Sequence, residues 1–490
     1  MSVTTELRTI ANLIGGEEVG AAGGKTFEKL APATGLALSR VARSGAADVD
    51  RAVGAAVAAQ PAWAARTVEE RGRILRRVAQ LLERDREAIA ATVSAETGKS
   101  PKDARGETDG AIELGYFIAG EGRRFYGKTM TSATPHRQAM TLRQPLGVAG
   151  LIIAANTPIA NVAWKVFPAL LCGNAAVLKA SEDAPETAVA FARLAAEAGV
   201  PAGVLNVVHG FGPEAGQPIV EDARVAVVSF TGSTAVGRMI ARVAGERLAK
   251  VCLELGGKNP LVVCDDADLD QAANAAALSA FSNAGQRCAA GSRLIVFDAV
   301  YETFRELLVA RAASQKVGPT DADDFGPVIN ERQLENMLGA VKRAREAGAT
   351  VLTGGERLAG DGYDGGFYIA PTIVEGAAAD SEISCTELFG PVTTLHRVFG
   401  FDEALKVANA SPYGLTAAIW TSSIHRGQEF ARRVVAGGVQ VNGPTYGFEP
   451  HVPFGGLRDS GTGWREPGTE ALDVYSDWKT VYVTHDPKVV

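Results

Sequence analysis

The residues best suited to covalent chemistry in this chain are one cysteine and one glutamate. Cys288 ends the run Gly-Gln-Arg-Cys at 285–288, and Glu254 opens the run Glu-Leu-Gly-Gly-Lys at 254–258. A thiolate can add to an electrophilic carbonyl carbon, and a carboxylate that holds a water molecule can hydrolyse the resulting thioester. Together they predict oxidation of an aldehyde to an acid. Taken alone, Cys288 also fits an inert core thiol and Glu254 a solvated strand end.

The composition is typical of a globular protein and argues against several functional classes. Apolar residues make up 46% and charged residues 21% of the 490 residues, and this length predicts about three domains. The net charge of −7 gives no reason to expect a nucleic-acid partner. We expect no membrane segment and, without a secretory signal pattern, a cytoplasmic protein. The five widely spaced cysteines predict thiols, and the six scattered histidines predict no metal site.

The pattern of apolar residues predicts an α/β protein. From residue 148 onward, apolar strands alternate with helical segments, which is typical of a doubly wound parallel sheet covered on both faces. Strands at 260–264 and 294–297, with helices near 269–283 and 301–314, predict a second α/β domain. Residues 48–97 predict two amphipathic helices. The alternating segment 478–483 predicts a strand that pairs with a distant sheet, including one on another subunit.

Three polar loops follow predicted strands, where open α/β sheets bind ligands. The run from Gly232 to Gly237 opens a helix and is either a phosphate loop or a simple strand-to-helix turn. Lys179 and Glu182 follow the strand at 175–178; they could bond ribose hydroxyls and disfavour a 2′-phosphate, or they could only start a helix. Asn156 could donate to an oxyanion or cap a helix.

In chain order these motifs resemble those of the aldehyde dehydrogenase superfamily over nearly the whole chain. The most specific are the Glu254 and Cys288 runs at their mutual spacing, supported by Glu-Leu-Phe-Gly-Pro at 387–391 and Pro-Phe-Gly-Gly at 453–456. The resemblance implies a catalytic thiolate at Cys288, an oxyanion hole from the Asn156 side chain and the Cys288 backbone N–H, and water activation by Glu254. Lys165 matches a family lysine near the active site.

The resemblance also implies a site for NAD, with NADP as a possible substitute. It places Ser233 of the loop bounded by Gly232 and Gly237 at the pyrophosphate, and Lys179 with Glu182 at the adenosine ribose. Glu387 and Phe389 would lie around the nicotinamide ribose and ring.

The family architecture implies a doubly wound cofactor domain, an α/β catalytic domain and a small β oligomerisation flap. The corresponding boundaries are 1–126 and 146–255 for the cofactor domain and 256–457 for the catalytic domain. Residues 127–145 and 458–490 would form the flap and the C-terminal segment. A homodimer or a homotetramer is therefore expected.

The substrate is a small aldehyde whose class the sequence leaves open. The candidate lining residues are Thr157, Asn161, Trp164, Arg287, Tyr446 and Phe448. The chain departs from the family pattern where Ala154-Ala155 replaces Pro-Trp, and where Trp464 is inserted before Arg465. Two alternatives remain: a coenzyme A-acylating relative, against which Glu254 weighs, and a non-catalytic binding protein with the same fold.

Overall fold

A computed structural model describes residues 7–489 of the chain. This part of the chain contains fifteen α-helices. In chain order they are α1 (Ala46–Ala64), α2 (Val68–Arg84), α3 (Arg86–Thr97), α4 (Pro101–Gly120), α5 (Pro158–Leu171), α6 (Pro185–Glu197), α7 (Gln217–Glu221), α8 (Thr234–Glu246), α9 (Leu269–Phe281), α10 (Tyr301–Ser314), α11 (Glu331–Glu346), α12 (Glu382–Cys385), α13 (Phe401–Asn409), α14 (Ile424–Arg433) and α15 (Ala471–Tyr475).

The same residues contain twenty strands, which form four sheets. In chain order they are β1 (Arg8–Ile10), β2 (Asn12–Ile14), β3 (Glu17–Val19), β4 (Thr26–Leu30), β5 (Ala37–Ala42), β6 (Thr129–Met130), β7 (Arg137–Pro145), β8 (Val148–Ile152), β9 (Ala175–Lys179), β10 (Leu205–Val208), β11 (Val225–Thr231), β12 (Lys250–Glu254), β13 (Asn259–Val263), β14 (Gly291–Phe297), β15 (Thr350–Thr353), β16 (Thr372–Glu375), β17 (Val392–Val398), β18 (Thr416–Trp420), β19 (Gly438–Val441) and β20 (Ser476–Thr484). A small sheet, β1-β5-β4, lies near the amino end.

The first large sheet has the order β12-β11-β8-β9-β10-β2-β3 and is parallel from β12 to β10. Successive side chains of a strand point to opposite faces of the sheet, so each strand contributes side chains to two hydrophobic cores. Leu151 packs in a core with α2, α4, α5 and α6, whereas Val148 packs in another with α1 and α8. The predicted doubly wound parallel sheet is confirmed, with β2 and β3 added antiparallel at one edge.

The second large sheet has the order β15-β16-β17-β14-β13-β18-β19. All neighbours are parallel except β15 and β16. Helices α9, α10 and α11 cover the face that Leu261 and Leu294 share, and α13 and α14 cover the face of Val262 and Ile295. The predicted second α/β unit is therefore present.

The third sheet, β20-β7-β6, is small and antiparallel. β20 pairs with β7 along nine residues, from Ser476 opposite Pro145 to Thr484 opposite Arg137. The predicted terminal strand thus has its partner within the same chain, and its other edge has no strand neighbour among residues 7–489. An arginine of β7 lies over one face of each of the rings of Trp478 and Tyr482 on β20, and both residues remain exposed.

Residues 48–97 form three helices, so the prediction of two was wrong. α2 has a capping box, in which Thr67 Oγ1 accepts a hydrogen bond from Glu70 N at 3.2 Å. The break between α2 and α3 occurs at Asp85, where the backbone leaves helical geometry at φ −100° and ψ 17°. Neither Gly nor Pro marks this break, which is why the apolar pattern alone merges the two helices. Within residues 7–489 we find no helix with the length and apolar character needed to cross a bilayer.

Candidate active site

A strained loop presents Cys288 between α9 and β14. Asn283 and Ala284 both adopt left-handed backbone angles, with φ of 54° and 53°, which is uncommon for residues other than glycine. A Cβ at Gly285 would lie 2.1 Å from the Gly390 carbonyl oxygen, so only glycine fits there. Asn259 Nδ2 donates to the carbonyl oxygens of Cys288 at 2.8 Å and of Ala290 at 2.9 Å. Tertiary contacts therefore hold this loop in one conformation.

The Cys288 side chain is half-buried among apolar groups. It packs in a small cluster with buried Phe454 and half-buried Trp164, Tyr446 and Phe448. The rings of Trp164 and Phe454 meet edge to face at 5.6 Å, and those of Phe448 and Phe454 are 5.3 Å apart. Three of the predicted lining residues therefore gather beside the thiol and form an aromatic wall.

The Cys288 thiol is held protonated at neutral pH. Burial, followed by the nearby charges of Glu254 and Glu387, raises its pKa to about 12. Contacts at Gly257, in the run that Glu254 opens, place the three groups in one region: its N–H donates to Glu387, and a Cβ there would lie 2.5 Å from the Cys288 carbonyl oxygen. To act as a nucleophile, the thiol must pass its proton to a base when an electrophile arrives.

Glu254 lies at the end of β12 and is only 4% exposed. Both of its carboxyl oxygens lack a hydrogen-bond partner among the residues that the structure describes. Burial, and then the charge of Glu466, raises its pKa well above the ordinary value, although Lys165 and Arg465 oppose the shift. An unpartnered buried carboxyl group is costly to the fold and marks a functional site, because it is available to take a proton or hold a water molecule.

The raised pKa of Glu254 predicts that the stability of the folded chain depends on pH. In the unfolded chain Glu254 ionises near its ordinary pKa, whereas in the folded chain it retains its proton to much higher pH. Raising the pH between these two values therefore favours unfolding. Glu254→Gln cannot ionise, so we expect its melting temperature to exceed that of the wild type by more at pH 8 than at pH 5. Glu335→Gln, at an exposed site on α11, is the control. A gain that does not depend on pH would contradict this account.

A fully buried polar network lies behind Glu254. Lys165 Nζ donates to Ser229 Oγ at 2.7 Å and to Glu466 Oε2 at 2.8 Å. Glu466 Oε1 accepts hydrogen bonds from Ser229 Oγ at 3.0 Å and from Tyr475 Oη at 2.7 Å. The predicted residue Lys165 is therefore neutralised by a carboxylate and influences Glu254 through space.

Asn156 and Thr157 lie between β8 and α5. Asn161 Nδ2 donates to Thr157 Oγ1 at 3.1 Å and lies 3.4 Å from Asn156 Oδ1. The Asn156 oxygen is thereby occupied, and its NH₂ group has no acceptor among residues 7–489. This orientation leaves a donor available to a developing oxyanion, which is what a carbonyl addition requires.

The predicted phosphate loop follows β11 at the same sheet edge. Ser233 caps α8 by accepting a hydrogen bond from Val236 N at 3.5 Å, and the Gly232 N–H donates to the Glu254 carbonyl oxygen at 3.1 Å. A Cβ at Gly237 would lie 2.5 Å from Leu255, so this glycine allows α8 to pack closely on the chain after β12. The first N–H groups of α8 have no intrahelical partner, a geometry that suits a phosphate.

Lys179 and Glu182 form a pair at the end of β9. Lys179 Nζ lies 2.8 Å from Glu182 Oε2. Burial acts to raise the pKa of Glu182, but the charge and hydrogen bond of Lys179 outweigh it and lower the pKa, which keeps the carboxylate ionised. Glu182 also borders a cleft of about 320 Å³ between β4 and the start of α11. A charged acceptor and a charged donor are therefore available together at this edge.

Glu387 and Phe389 approach the nucleophile from the second sheet. Glu387 Oε1 accepts a hydrogen bond from Gly257 N at 2.9 Å, and burial raises the pKa of its carboxyl group to about 7. A Cβ at Gly256 would lie 2.2 Å from Glu387 Oε2, so the glycine pair beside Glu254 makes room for this carboxylate. Phe389 is half-buried and has a left-handed backbone, with φ of 56°.

Arg287 points its guanidinium toward the aromatic wall. The group lies 4.7 Å from the centre of the Tyr446 ring. Arg287 makes no salt bridge among residues 7–489, and its buried Nε has no hydrogen-bond partner there. Arg287 is therefore a cation beside the Cys288 thiol that has no carboxylate partner among the described residues.

The strand order explains why these residues meet. Asn156, Lys179, Gly232 and Glu254 follow or end strands β8, β9, β11 and β12, which are neighbours in one parallel sheet. Several residues that position them were not found by sequence reasoning: Asn259, Asn283, Glu466 and Tyr475. Asn259 stands directly after the Glu254 run, and this adjacency is the one signal that could have identified it.

Comparisons with known proteins identify the family of the chain. The aldehyde dehydrogenase family model matches residues 19–481. The chain is 41% identical to the alpha-ketoglutaric semialdehyde dehydrogenase of Bacillus subtilis, covering 99% of this chain and all of that one. It is 40% identical to a mitochondrial benzaldehyde dehydrogenase of Antirrhinum majus, covering 96% of this chain and 88% of that one. The chain belongs to the aldehyde dehydrogenase family.

A solved structure extends the agreement to the whole fold. Betaine aldehyde dehydrogenase of Staphylococcus aureus in complex with NAD⁺ is 31% identical to this chain and superposes on it with a TM-score of 0.96. The match covers 99% of this chain and 97% of that one. The predicted family and fold class are confirmed.

Proposed function

We propose that this chain oxidises an aldehyde to a carboxylic acid with NAD, in a reaction that consumes one water molecule. The observation that carries this proposal is the half-buried Cys288 thiol in the same region as Glu254, a buried carboxyl group without a partner. Turnover without coenzyme A is the test. Strict dependence on coenzyme A would assign the acylating reaction instead, and silence with every aldehyde would support a binding protein.

The reaction begins with addition of the Cys288 sulfur to the aldehyde carbon as Glu254 takes the thiol proton. Only the ionised fraction of Glu254 can take this proton; because burial raises the pKa of the group, its carboxylate is a stronger base than an exposed one. The Asn156 NH₂ group and the Cys288 backbone N–H donate to the oxyanion. A nicotinamide held beside Glu387 and Phe389 would supply the hydride acceptor, and loss of hydride from the tetrahedral carbon would leave a thioester on Cys288. After Glu254 has passed the thiol proton to solvent, its carboxylate deprotonates a water molecule that attacks the thioester. The C–S bond then breaks, the acid leaves, and the Cys288 sulfur regains a proton.

We assign the coenzyme to the edge of the first sheet. The first turn of α8, with Ser233, suits a pyrophosphate, and the Lys179–Glu182 pair suits a diol. Glu387 and Phe389 approach the reacting atoms from the second sheet, where a nicotinamide ribose and ring would lie. Lys165 acts through the Glu466 network to moderate the charge around Glu254.

Glu182 is expected to select NAD over NADP. Its carboxylate would accept a hydrogen bond from a ribose 2′-hydroxyl and repel a 2′-phosphate. Glu182→Gln should therefore lower the NAD/NADP ratio of kcat/KM by about tenfold, since a hydrogen bond to a charged group contributes about 1.5 kcal/mol. Asp183→Asn serves as control, because that carboxylate accepts a hydrogen bond at 3.0 Å from Asn330, the N-cap of α11. If Glu182→Gln left the NAD/NADP ratio of kcat/KM unchanged, Glu182 would not be the residue that selects NAD.

We propose an acidic semialdehyde as the substrate. The unpaired guanidinium of Arg287 beside the aromatic wall supports this class, and the printed name of the Bacillus subtilis relative agrees with it. The aromatic wall of Trp164, Tyr446 and Phe448 fits an aromatic ring equally well, and the Antirrhinum majus relative bears the name of such an activity. The two substrate classes differ in charge, so replacing Arg287 should affect the two activities differently.

Arg287→Met is expected to lower kcat/KM for alpha-ketoglutaric semialdehyde about 30-fold and to leave that for benzaldehyde within about threefold. In this variant the carboxylate of the semialdehyde no longer has a counter-charge in the site. Benzaldehyde has no charge, so the loss of the Arg287 cation affects its binding much less. Tyr446→Phe is the matched control, because it keeps the ring and the aliphatic contacts. Equal losses for both aldehydes would show that Arg287 does not recognise a carboxylate.

We infer a homodimer or homotetramer built through the small sheet, and a cytoplasmic location. Leu142, Trp478, Tyr482 and Val483 expose apolar surface on β7 and β20, which a second copy of the chain could cover. All five cysteines are free, in keeping with a reducing compartment. We infer that residues 1–126 with 146–255 form the cofactor domain, 256–457 the catalytic domain, and 127–145 with 458–490 the oligomerisation flap and C-terminal segment. Light scattering on Trp478→Glu protein tests the assembly: a smaller particle is expected, and an unchanged one would contradict it.

A further inference from the structure

Helix α5, which carries Trp164 and Lys165, has no N-terminal cap from its own sequence. Thr157 occupies the cap position but makes no capping bond, and Pro158 has no N–H. The cap comes instead from Glu107 on α4. Its Oε1 accepts hydrogen bonds from Ile159 N at 2.9 Å and Ala160 N at 3.3 Å. A carboxylate at this end of a helix satisfies free N–H groups and interacts well with the helix dipole.

A buried lysine balances the charge of Glu107. Lys99 forms a direct ion pair with Glu107, and the two side chains are only 3% and 4% exposed. Lys99 lies in the connection between α3 and α4, directly after Gly98, whose φ of 76° is left-handed. Gly98 ends α3, and Ser94 Oγ donates to the Lys99 carbonyl oxygen at 2.7 Å. The backbone that carries the lysine is therefore well fixed.

The same ammonium group reaches the candidate oxyanion loop. Lys99 Nζ donates to the backbone carbonyl oxygen of Asn156 at 2.8 Å. Asn283, in the strained loop before Cys288, places its Nδ2 at 3.4 Å from the same oxygen. One buried ion pair thus contacts both the loop that bears Asn156 and the first turn of α5, and it lies beside the loop that leads to the nucleophile.

We propose that Lys99 and Glu107 are positioning residues that act through Asn156 to hold the oxyanion donor at the reacting carbon. This inference rests on the proposed function, in which Asn156 donates to the oxyanion. A buried ion pair seldom stabilises a fold more than apolar packing of the same volume, so stability alone does not account for it. An oxyanion donor must stay within hydrogen-bond distance of an atom that becomes charged only in the transition state, and a fixed Asn156 carbonyl constrains the side chain of the same residue.

A double-mutant cycle tests the proposal. The rate of NADH formation is measured in a single turnover, with enzyme in excess over aldehyde, for Lys99→Met, Asn156→Ala and the double variant. Each single variant should slow this step about 100-fold, and the double variant should be no slower than Asn156→Ala. The Kd for NAD should remain within about twofold of the wild-type value in all three, because Lys99 lies apart from the assigned coenzyme residues.

The controls separate positioning from general damage. Lys29→Met also removes a buried ammonium group that faces a carboxylate, Asp183. Because Lys29 does not act through Asn156, any loss of single-turnover rate in Lys29→Met should multiply with the loss in Asn156→Ala. Lys99→Arg should recover part of the rate, because it keeps the charge and the donors. Glu107→Gln should behave like Lys99→Met, and it takes the place of Lys99→Met if that protein does not fold.

Two results would overturn the proposal, and they differ from each other. If the losses from Lys99→Met and Asn156→Ala multiply in the double variant, Lys99 does not act through Asn156, although Asn156 keeps its own role. If Asn156→Ala has the wild-type single-turnover rate, the oxyanion assignment fails and the positioning role fails with it.

Discussion

Replacement of Cys288 by alanine should reduce aldehyde oxidation by at least about 10⁴-fold while NAD binding stays at the wild-type Kd. Without the sulfur no covalent adduct forms, and hydride transfer from an aldehyde that lacks a bound nucleophile has no comparable route. The Asn156 donor and the aromatic wall remain, so the site still binds its ligands. Steady-state NADH formation and a titration of coenzyme fluorescence quenching measure the two quantities.

The matched control for this variant is Cys385→Ala. Cys385 is the other cysteine of the chain that is half-buried; the remaining three are buried. Its Sγ lies 3.3 Å from the Ala379 carbonyl oxygen, so the sulfur already has a local partner. Its loss should leave turnover within about threefold of the wild type. Equal inactivation by both substitutions would point to a general effect of removing thiols and against a specific nucleophile.

Replacement of Glu254 by glutamine should separate the two halves of the reaction. We expect a burst of NADH close to one equivalent per active site, followed by a steady state slowed about 10³-fold, because hydride leaves before water enters. The burst itself should be slower than in the wild type, since Glu254 also takes the thiol proton. Stopped-flow absorbance of NADH records both phases.

Glu96→Gln is the control for this second variant. Glu96 is also buried, and burial raises its pKa to about 7, but it caps α6 by accepting hydrogen bonds from the backbone of Glu186 and Thr187. Its loss should lower thermal stability without creating a burst. If Glu254→Gln gave no burst and retained the wild-type steady-state rate, Glu254 would not be the base for either step.

The main features of the fold follow from local patterns that a single sequence contains. The strands at 148–153 and 175–179 were predictable because continuous apolar runs of that length suit a sheet buried on both faces. Parallel pairing then brings the ends of β8, β9, β11 and β12 to one edge, so the meeting of Asn156, Lys179, Gly232 and Glu254 follows from topology. The order of the motifs, and not any single residue, made the site predictable.

What could not be predicted rests on contacts between distant residues. Glu466 lies about three hundred positions from Lys165, and nothing near either residue indicates that they form a buried pair. Nothing in the sequence near Lys99 or Glu107 indicates that they form a buried pair, and only the packing of α4 against α5 brings Lys99 to the Asn156 carbonyl oxygen. The break between α2 and α3 at Asp85 was not predictable because no glycine or proline marks it.

The two departures from the family pattern have identifiable local effects. Ala155 packs in a small buried cluster with Ala184 and Ile329, where a larger aromatic side chain would need more room. Trp464 packs against the first large core, and Lys250 Nζ lies 4.5 Å from the centre of its ring. Arg465 bonds the carbonyl oxygens of Gly463 and Trp464. The inserted residue thus fits into a loop that still brings Glu466 to Lys165.

The most direct test of the central claim is the intact mass and peptide map of Glu254→Gln protein after mixing with NAD and alpha-ketoglutaric semialdehyde. The account predicts one acyl group per chain, attached to Cys288 and stable because water is no longer activated. Protein that forms NADH continuously yet stays unmodified, or that carries the acyl group on Cys385, would contradict the assignment of Cys288 as nucleophile and Glu254 as the base that releases the acid.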